Sequence, residues 1–161
     1  MGEGGTPAHR LIAVIIDEDS LRAASAEAQH EREIAIYDLL ADNSFGVPGA
    51  ERGPYRLRLA LVQNRLAFQI QDEAEADVIA HLLSLGPFRD MVTNYLAICE
   101  RHYTAVKSAS PSQIEAIDMG RRGMHNEAAT LLMERLKGKI DMDFATARRL
   151  FTLIAALPWE R

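Results

Sequence analysis

The residues best suited to chemistry lie together in the run Asp118-Met119-Gly120-Arg121-Arg122-Gly123-Met124-His125-Asn126-Glu127. Glycines at this spacing let a backbone turn tightly. A helix that starts after such a turn presents unpaired N–H groups and the positive end of its dipole. Two adjacent guanidinium groups add donors able to grip an anion bidentately. The combination suits a phosphate or a carboxylate, with His125 titrating near neutrality and Glu127 orienting or deprotonating it. Gly120, Arg121, Arg122, Gly123, His125, Asn126 and Glu127 are therefore the candidate ligand-binding residues. The more ordinary reading of the same run is a solvated corner between two helices, its arginines paired with Asp118 or Glu127.

Other constellations carry less. Helix, glycine-containing turn and helix is the outline of a DNA-reading motif. Here Glu127 and Glu134 would face phosphates, and residues 111–139 hold five basic against four acidic side chains, which argues against that role. Cys99 and His102 stand one helical turn apart, as a thiolate–imidazole pair would, but on an apolar line where a cysteine acts as a small hydrophobe. One cysteine and the unpaired histidines His9, His30, His81, His102 and His125 do not make a zinc site. Arg56 and Arg58 share a strand face with Gln69 and Gln71, where a solvated sheet face explains them as well as a partner does. The acidic run Asp72-Glu73-Glu75-Asp77 reads as a solvated turn. No phosphate-binding loop, dinucleotide fingerprint, nucleophile elbow or kinase signature is present, and no cofactor or metal is called for.

The elements that must position these residues follow from periodicity. Arg10 to Asp17 is a branched apolar run, expected as a buried first strand. From Glu27 to Ala41, His30, Ile34, Tyr37 and Ala41 fall on one helical line that should face the core, with Ile36 and Leu40 beside it. Phe45 to Pro54 reads as a loop. Tyr55 to Asp72 alternates as a hairpin turning at Gln63-Asn64, and Asp77 to Leu85 supplies a third meander strand. After Pro87 the period lengthens, and Phe88, Val92, Tyr95, Cys99, His102 and Val106 mark a long amphipathic helix. Ser110-Pro111-Ser112-Gln113 is a capping box opening a helix toward Met119. Gly120 to Gly123 is expected to interrupt or kink it, with a further helix over 124–136 stopped by Gly138. Asp143 can cap a last helix over 144–157, so apolar that it must be deeply buried or meet another subunit. The expected class is α+β: a mainly antiparallel four-stranded sheet packed on one face by a helical C-terminal half.

Composition fits one such unit, a flexible N-terminal tail over 1–9 and a single α+β domain over 10–161. The 161 residues are 48% apolar and 25% charged, ordinary globular values. A chain of this length buries about 70% of its unfolded surface. Residues 1–99 carry 8 basic and 15 acidic side chains, a net of −7, and residues 100–161 carry 10 and 8, a net of +2. Neither half has the basic density that nucleic-acid binding uses. A lone cysteine and the lack of a secretory or membrane-length apolar run predict a cytoplasmic, non-membrane protein. Met1 to Thr6 matches an N-acylation pattern, but no polybasic patch or second cysteine accompanies it.

Several stretches resemble the bacterial Uncharacterised Protein Family 0262. They are His30-Glu31-Arg32 with 34–39 (IAIYDL), Gly53-Pro54-Tyr55, Leu83-Ser84-Leu85 with Pro87-Phe88-Arg89, 114–123 (IEAIDMGRRG) with His125-Asn126-Glu127, and 136–140 (LKGKI) with 147–154 (ARRLFTLI). The resemblance runs from about Leu11 to Trp159; the N-terminal tail and the 46–53 loop lie outside it. It implies a small cytoplasmic bacterial protein and supplies no catalytic residues. The leading expectation is a non-enzymatic binding or adaptor domain whose Gly120–Gly123 corner contacts a small anion or an acidic segment of an unknown protein partner. The alternatives are a small hydrolase or transferase acting on a phosphorylated metabolite, with Arg121 and Arg122 neutralising phosphate and His125 or Glu127 as acid or base, or a structural homodimer joined through the C-terminal helix.

Overall fold

The computed structural model describes residues 8–159. The acylation pattern and most of the expected tail lie outside them. Of that tail, the His9 carbonyl accepts a hydrogen bond from the Phe45 N–H at 3.1 Å.

The chain opens with β1 (Leu11–Ile16), α1 (Ala26–Ala41) and a two-residue strand, β2 (Phe45–Gly46). A meander follows of β3 (Tyr55–Val62), β4 (Arg65–Asp72) and β5 (Asp77–Ser84). The sheet order is β1-β3-β4-β5, and it is mixed. β3, β4 and β5 pair antiparallel, but β1 runs parallel to β3. Parallel neighbours need a crossover of a dozen residues or more, and α1 with the loop after it provides one. The hairpin turns where expected, with Gln63 and Asn64 both left-handed (φ 50° and 64°), matching the right-handed twist of the strands. Register pairs Leu57 with Ile70 and Leu59 with Phe68 on one face, and Arg56 with Gln71 and Arg58 with Gln69 on the other. The first set is buried, while Arg58 and Gln69 are exposed.

α1 departs from the expected orientation. Its buried residues are Arg32, Ala35 and Leu39, whereas Ile34 and Tyr37 are 47% and 74% exposed, and His30 and Ala41 also face outward. The cause is Arg32, a charged residue that apolar periodicity passes over. Its buried guanidinium donates to the Leu21 carbonyl at 2.5 Å and reaches the Glu18 carboxylate at 3.4 Å. That pins the helix to the loop after β1 and rolls its apolar residues aside. At the other end Asn43 closes the edge of β1, accepting from the Leu11 N–H at 2.8 Å and donating to the Leu11 carbonyl at 3.2 Å.

A single 3-10 turn over Gly86–Phe88 leads into α2 (Arg89–Ser108), then α3 (Pro111–Leu136), β6 (Asp141–Met142) and α4 (Phe144–Ala155). The capping box forms: the Ser110 hydroxyl accepts from the Gln113 N–H, and the Gln113 side chain accepts from the Ser110 N–H. α3 then runs unbroken through Gly120 and Gly123, so the expected interruption is absent. A helix-interior glycine costs only about 1 kcal/mol against alanine, which neighbours that favour helix can offset. The chain turns instead at Gly138 (φ 83°). β6 pairs with β2, and the Asp143 carboxylate caps α4 by accepting from Thr146. Residues of α4 and its C-terminal extension, among them Phe151, Leu153, Ile154 and Leu157, are fully buried within this one chain. Of the two environments expected for that helix, burial is the one observed. They join Leu57, Leu59 and Phe68 of the sheet, Val92 and Tyr95 of α2, and Ala128 and Leu132 of α3 in one core. Each fully buried Leu or Phe contributes about 1.5–3 kcal/mol.

Candidate functional site

Because Gly120 to Glu127 lie inside α3, they spiral around two helical turns instead of converging. Both arginines are occupied from within the helix. Arg121 donates from Nε at 3.1 Å and Nη2 at 2.5 Å to Asp118 Oδ1, and Arg122 donates from Nε at 2.9 Å and Nη2 at 2.6 Å to Oδ2. His102 of α2 stands 3.7 Å from Oδ1. Hydrogen bonds from Arg121 and then Arg122 hold the Asp118 carboxyl down to about 2. The sequence alternative in which Asp118 takes the arginines is therefore the arrangement seen. The helix N-terminus that would have faced an anion at Gly123 does not exist.

His125 points the other way, into the core. Its ring lies 5.3 Å from Tyr95, stacked, and 5.8 Å from Phe151. Nε2–H donates to the Arg148 carbonyl at 2.8 Å, and Nδ1 accepts from Arg148 Nη2 at 3.1 Å. Burial is the main cause lowering its pKa, partly offset by the Arg148 carbonyl, so the ring is held neutral. Asn126 and Glu127 are exposed, and the Asn126 carbonyl accepts from the Thr130 hydroxyl at 3.0 Å. No single surface carries all seven candidates.

Of the candidates on the sheet face, two are engaged by carboxylates, while Arg56 Nε is buried without a hydrogen-bond partner among the described residues. Arg58 pairs with Asp17 at 2.7 Å, and Gln71 donates to Asp77 at 3.3 Å. Among the described residues, no group of three or more His, Cys, Asp or Glu side chains is placed to hold a metal ion. Among them, too, no helix is long and apolar enough to cross a membrane.

The structure assembles a different feature. A cleft of about 510 Å³ opens between α1, α2 and the end of α4. Ala28, Glu31, Ile34, Ala35 and Asp38 form one wall, Tyr95, Leu96 and Cys99 the second, and Thr152 with Ala155 to Pro158 the third. Its volume lies in the range of sites that take small ligands or the anchor side chains of a partner. Cys99 is half-buried within the second wall. Burial and then the neighbouring Cys99 push the Tyr95 phenol up, with Arg121 opposing. Sequence reasoning assigned Cys99 to the core stripe, and the sulfur does pack partly against the core. It missed the cleft because the walls come from three distant segments. The one available signal was Ile34 and Tyr37, apolar residues outside the line that α1 buries.

Comparison with known proteins places the chain among close relatives. A protein-family model described as "Uncharacterised protein family (UPF0262)" matches residues 8–160. A UPF0262 protein of Xanthobacter autotrophicus is 55% identical over 157 residues, covering 96% of this chain and 94% of its own length. One from Phenylobacterium zucineum is 53% identical over 160 residues, 99% of each chain, and one from Methylobacterium radiotolerans is 54% identical over 160 residues, again 99% of each. No solved structure matches the chain.

Proposed function

The chain belongs to the uncharacterised protein family UPF0262, and we propose that it acts as a non-enzymatic binding domain whose contact site is the cleft between α1, α2 and the end of α4. The cleft itself carries this reading: its walls bring together Ile34, Leu96, Cys99 and Leu157, with few polar groups around them, a lining suited to burying apolar surface. The Gly120–Gly123 segment becomes a support for that site. Asp118 anchors Arg121, whose charge acts on the Tyr95 phenol at the cleft wall. An anion or acidic segment at Arg121 and Arg122 would first have to displace Asp118 from four hydrogen bonds. Hydrolase or transferase chemistry would use His125 or Glu127 as acid or base; His125 is buried with both ring nitrogens bonded, which leaves exposed Glu127 as the member of that pair able to reach a substrate. The sheet acts as scaffold, with the helices covering the face of Tyr55, Leu57 and Leu59. The single cysteine fits a reducing, cytoplasmic setting. Phe151, Leu153 and Ile154 of α4 are buried inside their own chain, so the surface that the end of this helix offers to any partner is the cleft wall.

Titration with the apolar fluorophore Nile red tests the reading. The wild type should bind it with an emission increase, and Leu96→Glu should weaken binding by about tenfold, the effect of about 1.4 kcal/mol, while far-UV circular dichroism stays unchanged. Equal binding by the two proteins would overturn the assignment of the cleft.

A further inference from the structure

We infer that the cleft receives an amphipathic helix of a partner protein, one that carries basic residues beside its apolar stripe. The inference rests on the cleft being the contact site and adds what fills it. On α2, Leu96, Cys99, Tyr103 and Val106 follow one another at steps of three and four, so they form one line along the helix. Leu96 and Cys99 line the cleft, and the line continues beyond it to Tyr103 and Val106, 66% and 56% exposed, with Lys107 Nζ 4.3 Å over the Tyr103 ring, so that the carboxylates that favour a basic helix are those of the α1 wall. On α1, Ala28, Glu31, Ala35 and Asp38 repeat the same steps, and all four line the cleft. Two helices that turn such lines toward a shared groove leave room for a third at interaxial distances of about 8–10 Å. The alanines let its backbone approach the α1 wall, and the exposed residues of α2 extend its contact past the pocket.

The charge of the occupant follows from the same wall. Glu31 and Asp38 are exposed carboxylates without an ion pair among the described residues, and no Lys, Arg or His lines the cleft. Separated by seven residues on α1, they lie about 10.5 Å apart along its axis at 1.5 Å per residue. Lysines or arginines seven residues apart on a docked helix match that interval. Such complementary charge fixes orientation and rejects wrong partners. A fatty acid or other anionic amphiphile would meet repulsion there. A neutral small molecule would leave Tyr103 and Val106 uncovered.

The probe is a fluorescein-labelled peptide of about 18 residues, long enough to hold a helix, with leucines at three-four spacing and lysines seven apart. Its counterpart has glutamates in place of the lysines. Anisotropy should show the lysine peptide binding about tenfold tighter than the glutamate peptide, with the order reversed on the double variant Glu31→Lys/Asp38→Lys. Leu96→Glu should weaken both. Equal binding of the two peptides, lost on Leu96→Glu, would overturn the basic-helix inference and leave the cleft as the contact site. Nile red binding without peptide binding would do the same, whereas failure of both probes would remove the contact site as well. Sedimentation as a dimer that Leu96→Glu dissociates would replace the partner helix by a second copy of this chain.

Discussion

Replacing Gly123 by alanine should stabilise the protein. Gly123 lies in the interior of α3 with no positive φ, and a Cβ built there meets no heavy atom within 4 Å. The substitution therefore adds no clash while it removes the extra backbone freedom that glycine has in the unfolded chain. That is worth about 0.5–1 kcal/mol, and a chain of this size shifts by roughly 2–4 °C for each kcal/mol, so the midpoint should rise by about 1–4 °C. Gly120→Ala is the internal control. Its Cβ would stand 3.0 Å from Ile98 Cδ1, and Ile98 is buried, so a core side chain must shift to admit it. The same helix gain of about 1 kcal/mol is then offset by an overpacking cost of about 1–3 kcal/mol, and the variant should match the wild type or fall below it. Thermal and urea unfolding of both variants decide the matter. Loss of about 1 kcal/mol or more at Gly123 would refute the reasoning, because that is how alanine behaves where glycine holds a left-handed turn.

Two further perturbations address the polar clusters. Because burial lowers the folded His125 pKa below its ordinary 6.5, the unfolded chain takes up that proton first. The stability this provides is complete above 6.5 and is lost as pH falls through the folded value, so His125→Phe should flatten that part of the stability–pH curve measured by urea unfolding. The Asp118 carboxyl sits near 2 against 3.8, so its contribution is present above 3.8 and is lost as pH falls toward 2. Asp118→Asn should remove that acid dependence and release Arg121 and Arg122, so that sulfate raises the thermal midpoint of the variant and leaves the wild type unmoved.

What the sequence disclosed was mostly local. The capping box at Ser110, the Asp143 cap and the Gln63-Asn64 turn depend on neighbours a few residues away, and each forms as the spacing predicts. The parallel pairing of β1 with β3 was not legible, since strand periodicity is the same in either direction. Gly120 and Gly123 suggested a turn because glycine permits one, yet permission is not a requirement, and neither residue has positive φ. Arg32 misdirected the reading of α1, because a pattern search over apolar residues assigns a buried guanidinium to solvent. For the site, the sequence did pair Asp118 with the arginines as the ordinary alternative, and spacing by three and four on one helix is why. The cleft depends on how α1, α2 and the end of α4 come together, which no local pattern encodes.

Cys99 offers the most direct measurement of the contact site, because it is the one cysteine in the chain and it lines the cleft. Its rate of modification by a small thiol reagent reports occupancy at a single position. Saturating Nile red, or the lysine peptide, should slow that rate severalfold, and Leu96→Glu should raise the probe concentration needed for the same protection by about tenfold. A Cys99 that reacts as fast with the probe bound as without it would mean the probe binds elsewhere, contradicting the cleft as the contact site.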